Sequence, residues 1–241
     1  MLDQLATRNL RERLAECPYP GRGIVVGRNP DGAWTQVYWI MGRSDNSRNR
    51  RFVRDGEDLR TQPVDASRLA RPELVIYRAM SRQGSCLVVT NGLQTDAVHE
   101  GLARGRSLVD SLLEWQHEPD PPNNTPRISG MVDLAAGQAW LSVIRASSDP
   151  SSSDHAFYCY ASVPEGFGYA VTTYLGDGDP LPSFAGEPYV VPLSGDAAQI
   201  AAAYWQVLDA QNRISLAVRQ VDPRLGHAQL EVINRHGDAQ A

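Results

Sequence analysis

At 241 residues the chain is long enough for one large domain or two small ones, and its 42% apolar and 21% charged residues are typical of a globular protein. Its net charge of −5 and pI near 5.5 argue against a protein that coats nucleic acid, for which a pI above about 9 is usual. No apolar stretch approaches the length of a transmembrane helix and the polar start lacks a signal-peptide core, so we expect a cytoplasmic protein.

Cysteine and histidine usage indicates neither a disulfide framework nor a metal site. The three cysteines, Cys17, Cys86 and Cys159, are far apart and include no Cys-x-x-Cys pair. None of the five histidines lies three or four residues from another, a spacing that zinc sites commonly use. We therefore expect a protein that binds no metal.

The basic residues are all of one kind and are unevenly distributed. All 23 are arginine, so any anion site must be built from planar guanidinium groups, which bind phosphate in a bidentate manner. Residues 1–82 hold 15 arginines against 10 acidic residues, whereas residues 83–241 hold 8 against 18. The positive charge is therefore local, which favours a small anionic ligand over a nucleic acid or a membrane.

Apolar runs and turn residues predict paired strands in the first half of the chain, after a short polar helix at the start. Four strands are predicted at residues 23–27, 34–42, 74–80 and 86–92. The first two are joined by Asn-Pro-Asp-Gly, which favours a hairpin. Apolar residues then recur at helical spacing from Thr95 to about His117, with Asp96 as the N-cap.

The second half repeats this rhythm without an internal sequence repeat. The predicted elements are strands at 127–134, 138–146, 156–163 and 168–175, a helix at 196–209, and strands at 213–221 and 227–235. The strands come in antiparallel pairs and do not alternate with helices. The order therefore predicts an α+β domain in which two antiparallel sheets pack together with helices on the outside.

A segment at residues 42–54 concentrates positive charge and hydrogen-bond donors. It contains Arg43, Arg48, Arg50, Arg51 and Arg54 among serine and asparagine residues, with almost nothing apolar. On composition alone this is a solvated loop. Guanidinium groups beside hydroxyls and amides also make a phosphate cradle, so both interpretations stay open.

Three other segments carry polar detail. Glycines surround Arg22 and Arg28 at residues 19–28, although the spacing is not that of a dinucleotide loop, and these arginines are either surface charges or anion ligands. Asn-Gly at 91–92 precedes a helix start, where backbone N–H groups suit an anion or a simple turn. Glu118 and Asp120 lie near Arg127 across a proline-rich loop, as a salt bridge or as a tuned acid.

Taken together, these segments resemble the archaeal-type IMP cyclohydrolase family. The resembling pieces are Y-x-GR-x-x-x-VGR at 19–28, RS-x(4)-NR at 43–50, IYR at 76–78, NG-x-x-TD at 91–96, NTPRI at 124–128 and TTY at 172–174. The resemblance implies a four-layer α-β-β-α sandwich similar to the N-terminal-nucleophile hydrolases. It also implies closure of the purine ring, from the formylated aminoimidazole carboxamide ribotide to IMP and water, without metal or organic cofactor, in a homo-oligomer such as a tetramer.

Carried onto this chain, the resemblance implies roles for individual residues. For the phosphate and ribose we expect Arg22, Arg43 and Ser44, with Arg28 supporting them. For the formyl oxygen we expect Arg50 and Tyr77. For the carboxamide we expect Glu118, which takes its proton or positions it and is oriented by Arg127. For the polar edge of the base we expect Asn91 and Gly92, next to Asp96.

We expect residues 1–18 to be a helical extension ahead of a single domain at 19–241. Two rival functions remain open for this domain. An amide or lactam hydrolase of the N-terminal-nucleophile type would need the chain to be cut, for example before Cys17, whereas ring closure needs no covalent intermediate. A non-catalytic relative would bind purine nucleotides without turnover. Nucleic-acid binding is less favoured than either, because no aromatic stacking platform is evident.

Overall fold

A computed structural model of the chain describes residues 1–69, 72–222, 224, 226 and 228–237. The α-helices are α1 (Leu2–Leu10), α2 (Asp45–Arg48), α3 (Pro72–Val75), α4 (Gln94–Ala103), α5 (Leu108–Leu112) and α6 (Ala197–Val207). The strands are β1 (Gly23–Arg28), β2 (Trp34–Met41), β3 (Arg51–Asp55), β4 (Asp58–Gln62), β5 (Arg78–Gln83), β6 (Cys86–Thr90), β7 (Arg127–Asp133), β8 (Gln138–Ala146), β9 (Ser153–Tyr160), β10 (Phe167–Thr172), β11 (Tyr189–Pro192), β12 (Arg213–Val221) and β13 (Ala228–Asn234).

The strands form two antiparallel sheets, which confirms the predicted α+β class. One sheet has the order β11-β10-β1-β2-β12-β13, and the other has the order β3-β4-β5-β6-β7-β8-β9. Sheet neighbours are antiparallel throughout the described strands. The predicted hairpin of β1 and β2 is present, with Gly23 opposite Trp39.

The two sheets pack face to face over an apolar core. Gly130 on β7 allows β1 to approach closely, because a Cβ there would lie within 3.0 Å of methyl groups of Ile24 and Val26. Polar contacts also cross the interface: the buried Arg219 is held by Gln36 of its own sheet and donates to the backbone oxygens of Ser81 and Val88 in the other. Burial lowers the pKa of Arg219 to about 10.

Helices cover both outer faces and complete four layers. Helices α4 and α5 bury Val98 and Leu108 against one sheet in a separate apolar cluster. On the other sheet Tyr204 of α6 packs against Trp39, on the face opposite to Ile24 and Val26. No helix among the described residues is long and apolar enough to cross a membrane.

Helix α1 lies against the same sheet as α6, the one that contains β1 and β11. It packs on β11, where Asn9 donates to the backbone oxygen of Val190 at 2.8 Å. A π-helical turn over Arg11–Ala15 follows it.

Four local predictions differ from the structure. The single helix predicted over 95–117 is divided into α4 and α5, because Gly105 has a φ of 75° and breaks the helical path. The strand predicted at 74–80 begins as α3 and becomes β5. The arginine-rich segment is not a plain loop, since it contains α2 and the start of β3. Strand β4 and the short β11 were not predicted from their sequences.

The N-cap predicted for α4 is also wrong. Asp96 is not its N-cap, because the helix begins at Gln94 and Asp96 lies in its first turn. The chain turns earlier than predicted because Thr95 donates to the Gly92 oxygen through both its backbone N–H and its hydroxyl.

Candidate functional site

A cavity of about 270 Å³ opens beside the N-terminal end of β1. This is close to the lower end of the range of about 300–1,000 Å³ that is usual for small-molecule sites. Its lining is mostly polar and comes from six separate stretches of chain. The lining residues are Tyr19, Gly21, Arg22, Met41, Arg43, Ser44, Asn46, Ser47, Arg50, Leu74, Val75, Glu118, Asp120, Asn123, Thr125, Tyr174 and Leu181.

The inner end of this cavity is a buried ion pair between Arg22 and Glu118. The Arg22 guanidinium donates to both carboxylate oxygens, at 2.9 and 2.8 Å, and also to the backbone oxygen of Asn91 at 2.9 Å. The side chains are 9% and 4% exposed. Burial disfavours the charge of Arg22, but the attraction of Glu118 outweighs it and raises the pKa of Arg22 well above its usual value.

A second layer of polar residues fixes this pair from behind. The Asn91 side chain bridges the backbone of Pro126 and Ile128, and so holds the oxygen that Arg22 uses. Arg127 donates to the backbone oxygen of Gln116 and to Gln94, and its Nη1 lies 3.9 Å from Glu118. Burial lowers the pKa of Arg127.

Gly92 lies next to these residues, at a position where a larger side chain has no room. A Cβ at Gly92 would lie 2.8 Å from both Arg127 Nη1 and Gln94 Oε1. Asn91, Gly92 and Arg127 are thus near the ion pair, but none of them lines the cavity. The structure places them as supports of Arg22 and Glu118.

Two buried tyrosines lie near the same pair. The hydroxyls of Tyr38 and Tyr77 share a hydrogen bond of 2.6 Å. The backbone of Tyr77 is fixed by Thr61, whose hydroxyl accepts from the Tyr77 N–H and whose own N–H donates to the Tyr77 oxygen. Burial, together with the neighbouring Tyr77, raises the pKa of Tyr38 well above its usual value. Tyr77 is 3% exposed and is not among the cavity-lining residues.

The mouth of the cavity carries a second arginine in an exposed setting. Arg43 pairs with Asp177, donates to the backbone oxygen of Gly178 and packs over the ring of Tyr19, 5.0 Å from its centroid. Its side chain is 38% exposed and that of Asp177 is 50% exposed. Ser44 beside it caps α2, accepting from the N–H of Ser47.

Arg50 also lines the cavity and differs from both of the other arginines. Its Nε donates to the backbone oxygen of Ser47 at 2.9 Å, and the residue is 7% exposed. Within the described part of the chain, no carboxylate forms an ion pair with Arg50, whereas Arg22 and Arg43 each have one. The structure therefore brings Arg22, Arg43 and Arg50 around one space, and of these three Arg50 has no carboxylate partner among the described residues.

Two predicted site residues lie elsewhere. Arg28 is at the opposite end of β1, about 20 Å along the strand from Arg22, where it donates to the Gly32 oxygen and pairs with Glu165. Asp96 pairs with Arg78 on β5, with 2.9 Å between Arg78 Nε and Asp96 Oδ1. Neither lines the cavity, so we propose no role for either in the site.

Residues that the sequence did not single out complete the lining. Thr125 donates to Asp120, and its hydroxyl lies 2.6 Å from that of Tyr174. The Tyr174 ring stacks on Tyr19 and passes close to Gly21, where a Cβ would lie 2.5 Å from it. Thr125 and Tyr174 belong to the NTPRI and TTY segments, but no pattern within either segment indicates that they meet.

The described residues contain no group of three His, Cys, Asp or Glu side chains placed to hold a metal ion. The lining includes three guanidinium groups and two tyrosine rings, and these suit a planar anionic ligand.

Most of the chain matches one known protein family. A family model described as IMP cyclohydrolase-like protein matches residues 19–224. Proteins named IMP cyclohydrolase from Methanopyrus kandleri, Methanothrix thermoacetophila and Methanocella arvoryzae are 30%, 31% and 33% identical to it over 65%, 47% and 47% of this chain. The alignments span 75%, 57% and 57% of those proteins, so two of the three cover less than two thirds of the relative.

Proposed function

The chain belongs to the IMP cyclohydrolase-like protein family, and on this premise we propose that it closes the purine ring. The substrate of the proposed reaction is the formylated aminoimidazole carboxamide ribotide, and the products are IMP and water. The observation that carries the proposal is the convergence of Arg22, Arg43 and Arg50, from two separate stretches, on one cavity of about 270 Å³.

The phosphate is assigned to the mouth of the cavity. Arg43 is held there by an exposed ion pair with Asp177, and such pairs contribute only about 0–1 kcal/mol. A phosphate can replace the carboxylate at little cost and gain a bidentate contact. Ser44 and Ser47 line the cavity beside Arg43, and their hydroxyls can turn from the cap of α2 to the phosphate.

Arg50 is assigned to the oxygen on which negative charge develops. Attack of the carboxamide nitrogen on the formyl carbon turns the formyl oxygen into an oxyanion, and a fixed donor there accounts for a rate factor of about 10²–10³. Arg50 is buried, lines the cavity and is free of a carboxylate partner in the described residues. Tyr77 lies too deep to line the cavity, so we assign it to the support of Tyr38 and Arg22.

Of the two roles that the resemblance implies for Glu118, we propose the positioning role. Its two oxygens both accept from Arg22, so we assign it to hold that guanidinium against the base of the substrate. Arg127, Asn91 and Gly92 support the same pair from behind. Holding the carboxamide and formyl groups in contact supplies the orientation that intramolecular attack needs.

The amide-hydrolase alternative finds no support in the geometry. Cys17 is 8% exposed, its thiol donates to the Leu175 oxygen at 3.7 Å, and it is not among the cavity-lining residues. Burial raises the pKa of this thiol, which disfavours the reactive thiolate. Homo-oligomeric assembly and a cytoplasmic location are further predictions, which size measurement and fractionation of cells can test.

The direct test is turnover of the formylated ribotide by the purified protein, followed by the absorbance change of IMP formation. We expect turnover, and R50A should lower kcat by about 10²–10³ if Arg50 is the oxyanion donor. The matched control is R104A, since Arg104 is a surface arginine paired with Glu100. Absence of turnover at micromolar enzyme contradicts the proposal, and binding of IMP without turnover favours the non-catalytic relative.

A further inference from the structure

Asp120, Thr125 and Tyr174 form a continuous line of hydrogen bonds along one wall of the cavity. Asp120 accepts from the Thr125 N–H at 2.7 Å and from the Thr125 hydroxyl at 2.5 Å. The Thr125 and Tyr174 hydroxyls are 2.6 Å apart. All three side chains line the cavity, and Thr125 and Tyr174 are 1% and 6% exposed.

The direction of this line follows from counting hydrogens. A threonine hydroxyl has one hydrogen, and here it is donated to Asp120. Thr125 can then only accept from Tyr174, so the Tyr174 hydroxyl hydrogen points to Thr125. The remaining lone pair of the Tyr174 oxygen is left to accept a proton from another group.

The position of Tyr174 is fixed on several sides. Its N–H donates to the Pro20 oxygen, and its ring stacks on Tyr19 with 6.0 Å between the centroids. Gly21 leaves the space that the ring occupies, since a Cβ there would lie 2.5 Å from a ring carbon. A hydroxyl held in this way needs little reorganisation to receive a proton.

Resting on the function proposed above, we propose that Tyr174, Thr125 and Asp120 are the proton relay of the ring closure. Tyr174 touches the substrate, and Thr125 and Asp120 act through it. Glu118 lines the same cavity and keeps free lone pairs beside the two hydrogen bonds that it accepts from Arg22. The relay adds a second acid–base group to the cavity.

The proton balance of the reaction fits one reversible relay. A bond forms between the carboxamide nitrogen and the formyl carbon, and the formyl oxygen leaves as water. One hydrogen of that water comes from the carboxamide nitrogen and the other from the formamido nitrogen. For each, Tyr174 accepts the proton while its own passes to Thr125 and that of Thr125 passes to Asp120. The reverse movement delivers a proton to the oxygen, so the relay ends as it began.

The charges around Asp120 suit a group that both accepts and returns a proton. Burial raises the pKa of Asp120, the Thr125 hydrogen bonds lower it, Glu118 raises it and Arg22 lowers it. Arg127 faces the same carboxyl. Burial also raises the pKa of Tyr174, so its hydroxyl stays neutral between transfers. The base form of Asp120 is lost as the pH falls through its raised pKa, so kcat should decline on the acid side.

The test compares T125V, which removes the hydroxyl but keeps the shape, with T125S, which returns the hydroxyl. T125V and Y174F should each lower kcat by about 10²-fold, the range of a lost acid–base group, with IMP affinity within about twofold. T125S should rescue kcat. D120N should remove the acid-side decline of kcat, which a merely structural role would not do.

A titration of the Asp120 carboxyl by 13C NMR gives a readout that does not need turnover. T125V should raise its pKa, because the Thr125 hydroxyl stabilises the ionised form; Y174F should raise it less, and T125S should leave it near the wild-type value. Wild-type turnover with unchanged kcat in T125V and Y174F overturns the relay and leaves the cyclohydrolase proposal standing. Without wild-type turnover the cyclohydrolase proposal fails, and an Asp120 titration insensitive to both variants overturns the hydrogen-bonded line itself.

Discussion

Two guanidinium–carboxylate pairs stand at opposite ends of one cavity, and they differ in burial far more than in chemistry. Arg22 and Glu118 at the inner end are 9% and 4% exposed, whereas Arg43 and Asp177 at the mouth are 38% and 50% exposed. The inner pair is bidentate and is fixed by Asn91. The same two functional groups can therefore serve as a permanent structural element or as an exchangeable anion site.

The difference in burial decides which arginine can release its partner. Separating a buried pair leaves an uncompensated charge, which costs about 3–5 kcal/mol. Separating an exposed pair costs about 0–1 kcal/mol, because water solvates both groups. A ligand phosphate can displace Asp177 from Arg43 but not Glu118 from Arg22.

The largest expected effect is on stability and comes from neutralising the inner carboxylate. E118Q should lower the free energy of unfolding by about 3–5 kcal/mol, because Arg22 is left buried without its counter-charge. Urea unfolding followed by circular dichroism measures this. The matched control is D177N, for which we expect a change of about 0–1 kcal/mol. Equal losses in the two variants would remove the distinction between the ends.

The rigidity of the inner end is tested by a pair of glycine variants. G21A places a Cβ 2.2 Å from Thr173 Oγ1 at a φ of 72°, whereas G56A has a similar φ of 62° and no atom within 4 Å of the added Cβ. G56A should cost about 1 kcal/mol through backbone strain alone. G21A should cost about 1–3 kcal/mol more through overpacking. If thermal unfolding shows no difference, the wall around Tyr174 is not closely packed.

A smaller effect, on affinity alone, is expected at the mouth. R43A should weaken IMP binding about tenfold or more, because a charge-assisted hydrogen bond contributes about 1.5–3 kcal/mol. Its kcat should stay within about threefold of wild type, since Arg43 binds the phosphate and not the reacting atoms. Titration calorimetry with IMP measures the affinity, with R104A as the control arginine. A large loss of kcat at unchanged affinity contradicts this assignment.

The smallest expected effect is a gain in IMP affinity. D177N should strengthen IMP binding by up to about fivefold, since the phosphate no longer competes with a carboxylate for Arg43. The same calorimetry detects it. Weaker binding in D177N would mean that Asp177 orients Arg43 for the ligand and does not compete with it.

Local patterns in the sequence account for most of the fold but for little of the site. Apolar runs bounded by turn residues predict strands such as β1 and β2, and their antiparallel pairing predicts the two sheets. The cluster of arginines at residues 42–54 indicates Arg43 and Arg50 as anion ligands. The pairing of Arg22 with Glu118 joins residues 96 positions apart, and only the packing of the two sheets brings them together.

Burial is the other property that local sequence patterns do not predict. Arg28 and Arg22 lie in the same motif, yet the strand between them carries one to the surface and the other into the cavity. Asp96 looks like a helix cap, but Arg78 from the neighbouring strand takes its carboxylate. Thr125 and Tyr174 are 49 residues apart and meet through their hydroxyls, a contact that no local pattern encodes.

The most direct test of the exchangeable mouth and the permanent inner pair is a crystal structure with IMP bound. We expect the phosphate to contact Arg43 and the serine hydroxyls next to it, with Asp177 displaced and the bidentate contact of Arg22 with Glu118 intact. A phosphate bound to Arg22, with Glu118 turned away, would contradict the account.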